Sequence, residues 1–161
     1  MFKYEAPANL LKDKVILVTG AGSGLGRAAS LAYAKAGATL VLLGSNTGKL
    51  ETVYDEIENA GGAEPAITPL NLETASEEHY QELVDGIATA FGRLDGLLNN
   101  AGYMGSLMPF QTMSMAHWQK IMQINLNAGF FLTRFTFPLL QQAENASVIF
   151  TSSSAGKKAH A

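Results

Sequence analysis

Short, nearly continuous apolar runs alternate along this chain with longer stretches whose apolar positions recur every three to four residues. The first pattern is that of strands buried on both faces, the second that of amphipathic helices. The apolar runs fall at residues 15–18, 39–43, 66–70, 94–98 and 147–150, and helical periodicity fills 25–36, 48–60, 76–91 and a long segment from Ser114 toward Gln141. Gly37, Gly61-Gly62 and Gly92 follow the first three helices, where a left-handed residue commonly ends one. Ser76 and Ser114 are N-cap candidates, and Glu77 and Glu78 sit in the dipole-favoured first turn after Ser76. Pro138, inside the last helical stretch, predicts a kink or break there. Strands alternating with helices imply right-handed crossovers and a doubly wound, parallel α/β sheet with helices on both faces.

At 161 residues, 47% hydrophobic and 16% charged, the chain has the make-up of one packed domain, read here as spanning 1–161. A net charge of −3 without a basic stripe argues against nucleic acid as a partner. A membrane partner is not expected either, because no apolar run reaches the roughly 20 residues needed to cross a bilayer. The N-terminal residues lack the apolar core of a secretion signal, and the absence of cysteine fits a reducing compartment, so a cytoplasmic location is expected. His79, His117 and His160 are scattered without ligand spacing, and no metal site is expected. Glu56, Glu58, Glu73, Glu77 and Glu78 read as solvated helix faces, and Trp118, Phe130, Phe131, Phe135 and Phe137 as core or interface material.

The first strand runs straight into Gly20, Gly22, Gly24 and Gly26 and then a helix. Glycine lets a backbone turn sharply and approach a phosphate without a Cβ in the way. A helix N-terminus presents unpaired N–H groups and partial positive charge to an anion. The loop therefore suits a dinucleotide pyrophosphate, although a plain connecting turn uses glycine too. The spacing narrows the choice. Gly-x-Gly-x-x-Gly fails, because its third position is Leu25 or Arg27, and the Walker loop fails, because residues 44–49 are one residue short of it.

What fits is Thr19-Gly20-x-x-x-Gly24-x-Gly26, followed in order by Asn99-Asn100-Ala101-Gly102, by Asn125 within Ile124-Asn125-Leu126-Asn127, and by Ser153 within Ser152-Ser153-Ser154-Ala155-Gly156. These four segments together resemble the classical short-chain dehydrogenase/reductase family, from about Leu11 to Ala161. The resemblance implies a Rossmann sheet with five of the family's seven strands, and an NAD(P)-dependent oxidoreductase that interconverts a carbonyl and an alcohol by hydride transfer. It implies Ser153 and Asn125 as catalytic residues, the first polarising the substrate oxygen and the second anchoring a relay water. Mid-helix Asn125 is otherwise unfavourable and, if buried, needs a partner. Cofactor binding is carried over to Gly20, Ser23, Gly24, Leu25, Gly26, Ser45, Asn46, Asn71, Leu72, Asn99, Ala101 and Gly102. Asn71 is expected to offer its carbonyl oxygen to the adenine amino group, and Tyr103, Met104, Leu107 and Met108 to line the near side of a substrate pocket.

A carboxylate past the second strand would accept the ribose hydroxyls of NAD and repel a 2′-phosphate. Here Ser45, Asn46 and Thr47 precede the first acid, Glu51, with Lys49 nearby, so NADP is preferred over NAD. The family's long helices pair between subunits, implying a homo-oligomer, dimer or tetramer. Its Tyr-x-x-x-Lys has no match at Tyr4, Tyr33, Tyr54, Tyr80 or Tyr103. The pair is expected beyond Ala161, which would leave this stretch C-terminally incomplete and inactive alone. A non-catalytic nucleotide-binding or sensing module of the same fold is the alternative. The asparagine and serine segments argue against a methyltransferase.

Overall fold

The computed structural model describes Pro7 and residues 9–154. In chain order the elements are β1 (Val15–Thr19), α1 (Gly24–Lys35), β2 (Thr39–Gly44), α2 (Thr47–Asn59), β3 (Ala66–Pro69), α3 (Glu77–Phe91), β4 (Gly96–Asn99), α4 (Met115–Met122), α5 (Ala128–Leu140) and β5 (Ser147–Phe150). All strand pairs are parallel, in the order β3-β2-β1-β4-β5. This is the doubly wound α/β sheet expected from the pattern.

Side chains alternate across the sheet, and both sets are buried. Leu17, Val41, Leu43 and Leu97 pack on one side with Tyr80, Leu83 and Ile87 of α3 and Leu132 and Leu140 of α5. Ile16, Val18, Leu40, Leu42 and Leu98 pack on the other with Ala34 of α1 and Leu50, Val53 and Ile57 of α2. Burial on both faces explains why β1, β2 and β4 read as continuous apolar runs. Strand β4 starts two residues later than its apolar run, and just before it Asp95 serves as a hub. It accepts from Lys14 Nζ (3.2 Å), the Val15 N–H (3.0 Å) and Arg93 Nε (2.8 Å).

Helix ends follow the sequence signals. Gly37, Gly61 and Gly92 take positive φ values of 98°, 76° and 67°. Ser114 accepts the His117 N–H at 3.2 Å, and Ser76 forms a capping box closed by His79. Two features of the long C-terminal helix differ from expectation. No break occurs at Pro138; α5 carries through it to Leu140, although the missing N–H takes one bond from the ladder. The irregularity falls instead at Gln123–Asn127, a π turn between α4 and α5 in which the Ala128 N–H reaches back to the Gln123 carbonyl.

Three of the aromatics read as core or interface, Trp118, Phe130 and Phe137, lie on the surface, whereas Phe131 and Phe135 pack on Tyr80 with ring centroids 5.8 and 5.6 Å apart. Strand β5 is exposed along its length. Among the described residues, no helix is long and apolar enough to cross a membrane.

Candidate functional site

The strand order reverses between β1 and β4, so the loops leaving their carboxyl ends diverge and open a crevice. Its base is held by Thr19, which opens the glycine motif but was given no role of its own in the sequence. The buried Thr19 hydroxyl accepts the N–H groups of Asn100 (2.9 Å) and Ala101 (2.8 Å) and donates to the Leu98 carbonyl (3.3 Å). Asn100 returns the bond, its side-chain N–H donating to the Thr19 carbonyl at 3.1 Å. A hydroxyl at the end of an otherwise apolar strand was the available signal.

Above this clip the glycine loop turns into α1. At Gly26 a Cβ would stand 2.2 Å from the Gly20 carbonyl oxygen and 2.7 Å from Asn100 Nδ2, so only hydrogen lets the helix start close on the strands. Gly24 is different: φ is +53°, and nothing lies within 4 Å of where its Cβ would be. Its glycine serves the backbone turn, and its open side faces no protein atom. Ser23 takes the N-cap position with no side-chain capping bond, and the first turn carries no acid. The N–H groups of Gly24, Leu25 and Gly26 thus have no helical acceptor. Leu25 contributes main chain alone, its side chain being 71% exposed. Arg27 turns away along the helix, its Nε 3.3 Å from Glu56 on α2.

Two concavities flank the loop. One, of about 150 Å³, is lined by Gly20, Gly22, Ser23, Gly44, Ser45, Asn46, Lys49 and Leu50. Lys49 is its sole charged lining residue, and Asn46 caps α2 by accepting the Lys49 N–H at 3.0 Å. The other, of about 330 Å³, has Gly20, Ser45, Asn71, Leu72, Ala101, Gly102 and Ile124 on its walls. Asn71 spends part of its carbonyl oxygen on the Glu73 N–H (3.0 Å), leaving one lone pair for a ligand. Leu72 buries its side chain in the core. The same cleft is edged by Glu73 and Lys120, which no motif marked, and by Tyr103, expected on the near side of a substrate pocket. Glu73, read as a solvated acid, pairs with Lys120 at 2.6 Å, and the Glu73 hydrogen bond holds the Lys120 ammonium above its ordinary pKa.

Asn99, expected to bind the cofactor, turns its side chain toward α5. Its side chain is buried, donates to Thr133 Oγ1 on α5 at 3.2 Å, and leaves Oδ1 without a hydrogen-bond partner. It shares a small cavity of about 30 Å³ with Thr19, Ala101 and Asn125, rather than the larger cleft. Asn125 is exposed, not buried, and sits within the π turn. Its amide clamps one residue, accepting the Tyr103 N–H at 2.7 Å and donating to the Tyr103 carbonyl at 2.9 Å. Tyr103 lines the larger cleft, while Met104 and Leu107 are 80% and 92% exposed. Beyond β5 the Thr151 N–H bonds the Asn99 carbonyl (2.9 Å) and its hydroxyl donates to Asn100 Oδ1 (3.2 Å). Ser153 therefore follows at the same carboxyl edge as the glycine loop.

The family model for short chain dehydrogenase matches residues 14–161. The uncharacterized oxidoreductase YciK of Escherichia coli is 43% identical over 158 residues, covering 98% of this chain and 63% of its own length. A short chain dehydrogenase structure from Salmonella enterica superposes with TM-score 0.93 at 42% identity, over 98% of this chain and 65% of that one. A Shigella flexneri structure complexed with NADP gives TM-score 0.92 at 43% identity, over 96% of this chain and 65% of that one. The chain spans less than two thirds of the length of these relatives. With the glycine loop, the parallel sheet and the switch-point crevice in agreement with these matches, the chain belongs to the short chain dehydrogenase family.

Proposed function

We propose that this chain binds NADP across the carboxyl ends of β1 and β4, as part of an oxidoreductase that interconverts a carbonyl and an alcohol. The observation that carries the reading is the uncapped, acid-free start of α1 at Gly24, open on one side, next to a concavity whose one charged lining residue is Lys49. A pyrophosphate fits the first feature and a 2′-phosphate the second, since neither meets a carboxylate. In this reading the N–H groups around Gly20, Gly24, Leu25 and Gly26 hold the pyrophosphate. Ser23, Ser45, Asn46 and Lys49 hold the 2′-phosphate, and Asn71, Leu72, Ala101 and Gly102 the adenosine. Asn99 supports the crevice from behind. NAD is the weaker ligand, and the NADP complex of the Shigella flexneri relative supports the same preference.

The bound cofactor supplies or accepts hydride. Ser153 donates its hydroxyl hydrogen to the substrate oxygen and so favours charge developing there. Tyr103 takes one N–H and one lone pair of the Asn125 amide, which leaves a second N–H and a second lone pair to anchor a relay water. The family's Tyr-x-x-x-Lys has no match in these 161 residues, and no acid–base step is assigned to them. We further infer a homo-oligomer, a reading supported by the exposed Trp118, Phe130 and Phe137 on α4 and α5, and a location in the cytoplasm.

Equilibrium titration with NADPH and NADH tests the cofactor reading. NADPH is expected to bind at least about tenfold more tightly, the value of one charge-assisted contact, and Lys49→Ala to remove most of that margin. Equal affinities, or tighter binding of NADH, would overturn it.

A further inference from the structure

The larger cleft has an unequal lining. Gly20, Leu43, Leu70, Leu72, Ala101 and Ile124 offer apolar or small surfaces, whereas Ser45, Asn71, Glu73, Tyr103 and Lys120 supply its polar lining. Glu73 and Lys120 are its charged residues, they pair at 2.6 Å, and each side chain remains 35% exposed. The ammonium is positioned from a second direction as well, lying 4.9 Å above the centroid of the Tyr103 ring. Tyr103 is in turn held at its main chain by both atoms of the Asn125 amide. The ion pair is thus a built rim, assembled from the segment after β3, from α4 and from the loop after β4.

A rim of this composition carries a donor and an acceptor side by side. A lysine ammonium has three N–H donors and no acceptor; a carboxylate accepts only. One ammonium hydrogen serves Glu73, which leaves others for a ligand, and the carboxylate keeps free lone pairs. Adenine has the complementary edge, an amino donor at N6 beside ring-nitrogen acceptors, between two apolar faces. Hypoxanthine and guanine carry a carbonyl acceptor in place of that amino group, which would face the carboxylate acceptor unpaired.

Resting on the cofactor reading above, we propose that the Glu73–Lys120 pair, backed by Tyr103, is the specificity element that selects adenine at this end of the cleft. Glu73 accepts from the amino group and Lys120 donates to a ring nitrogen. Asn71 adds a third contact through its remaining lone pair. Charge neutrality of the pair keeps the rim from attracting phosphates into the base pocket.

The test compares NADPH with its hypoxanthine analogue by equilibrium titration of wild type, Glu73→Ala, Lys120→Met and Lys120→Arg. Wild type is expected to favour the adenine form by about tenfold, a ratio of the size set by one hydrogen bond to a charged group. Glu73→Ala and Lys120→Met should collapse that ratio to within about twofold, and Lys120→Arg, which keeps the pair, should retain it. A purely structural strap would weaken both ligands equally and leave the ratio intact. An unchanged ratio in Glu73→Ala and Lys120→Met, or no preference in wild type, overturns the rim proposal while leaving the cofactor reading standing. Failure of wild type to bind either dinucleotide overturns both.

Discussion

Replacing Thr19 by valine tests whether the crevice is held as described. The exchange preserves shape but removes the one oxygen that accepts the Asn100 and Ala101 N–H groups, at 2.9 and 2.8 Å, and that donates to Leu98 at 3.3 Å. Thr19 is 1% exposed, so water cannot take over in place. Leaving a buried donor unsatisfied costs about 1–3 kcal/mol. Asn100 and Ala101 are only half-buried, which puts each near the lower end and the pair at about 2–4 kcal/mol. The donation to Leu98 is long and adds little. At about 2–4 °C per kcal/mol for a chain of this size, the melting temperature should fall by about 5–15 °C. Urea unfolding with an unchanged slope would report this as stability rather than altered compactness. Thr19→Ser keeps the oxygen and loses one methyl, at a cost of about 1 kcal/mol. A valine variant within about 0.5 kcal/mol of wild type, or a serine variant as damaged as valine, would refute the clip.

Gly26→Ala should destabilise by more than about 2 kcal/mol, because its Cβ would meet backbone 2.2 Å away. Gly24→Ala, strained at φ +53° but uncrowded, should lose only about 1 kcal/mol while weakening NADPH binding, which parallel melts and titrations would separate. Burial pushes the Asp95 carboxyl up, but Arg93, the Val15 N–H and Lys14 outweigh it and hold its pKa below the ordinary value. A depressed carboxylate contributes stability that is present above its unfolded pKa of about 3.9 and lost as pH falls through the folded value. Asp95→Asn should therefore flatten the acid limb of a stability-against-pH curve below about pH 4, and an identical acid limb in the variant would contradict the hub. Tyr54, hydrogen-bonded to Glu64 at 3.0 Å, has its hydroxyl pushed up to about 12. Burial also pushes the Tyr80 hydroxyl up, so ultraviolet titration should show late tyrosines of which one, Tyr54, moves toward 10 in Glu64→Gln, and no such movement would remove the assignment.

Features enforced by main-chain demands were legible in the sequence, and features made by side chains meeting across the fold were not. Strands β1, β2 and β4 announced themselves because both faces are buried, and the caps at Ser76 and Ser114 because a helix start needs an acceptor there. Gly20 and Gly24 were readable because positive φ favours glycine, and Gly26 because no Cβ fits. By contrast, Lys120 finds Glu73, Arg27 finds Glu56 and Arg134 finds Glu77 only once α4, α2 and α3 have docked, so acids that read as solvated faces became partners. The π turn had no local signature either. Pro138 drew attention to the wrong turn of the helix, whereas the irregularity sits where Asn125 reaches out to clamp Tyr103.

That clamp gives one physical account of why an asparagine stands at an exposed helical position where its propensity is poor. Tyr103 begins the loop that follows the Asn99–Gly102 turn, and its ring supports Lys120 at the rim of the cleft. An amide can accept an N–H and donate to a carbonyl at once, which neither aspartate nor leucine at this position can do. The main chain of Tyr103 presents that pair of groups. The π turn, Asn125, Tyr103 and the Glu73–Lys120 pair thus form one continuous support from α4 to the crevice. On this geometry Asn125 holds Tyr103 at the rim of the cleft, so under the proposed reading loss of its amide should disturb dinucleotide affinity and not turnover alone.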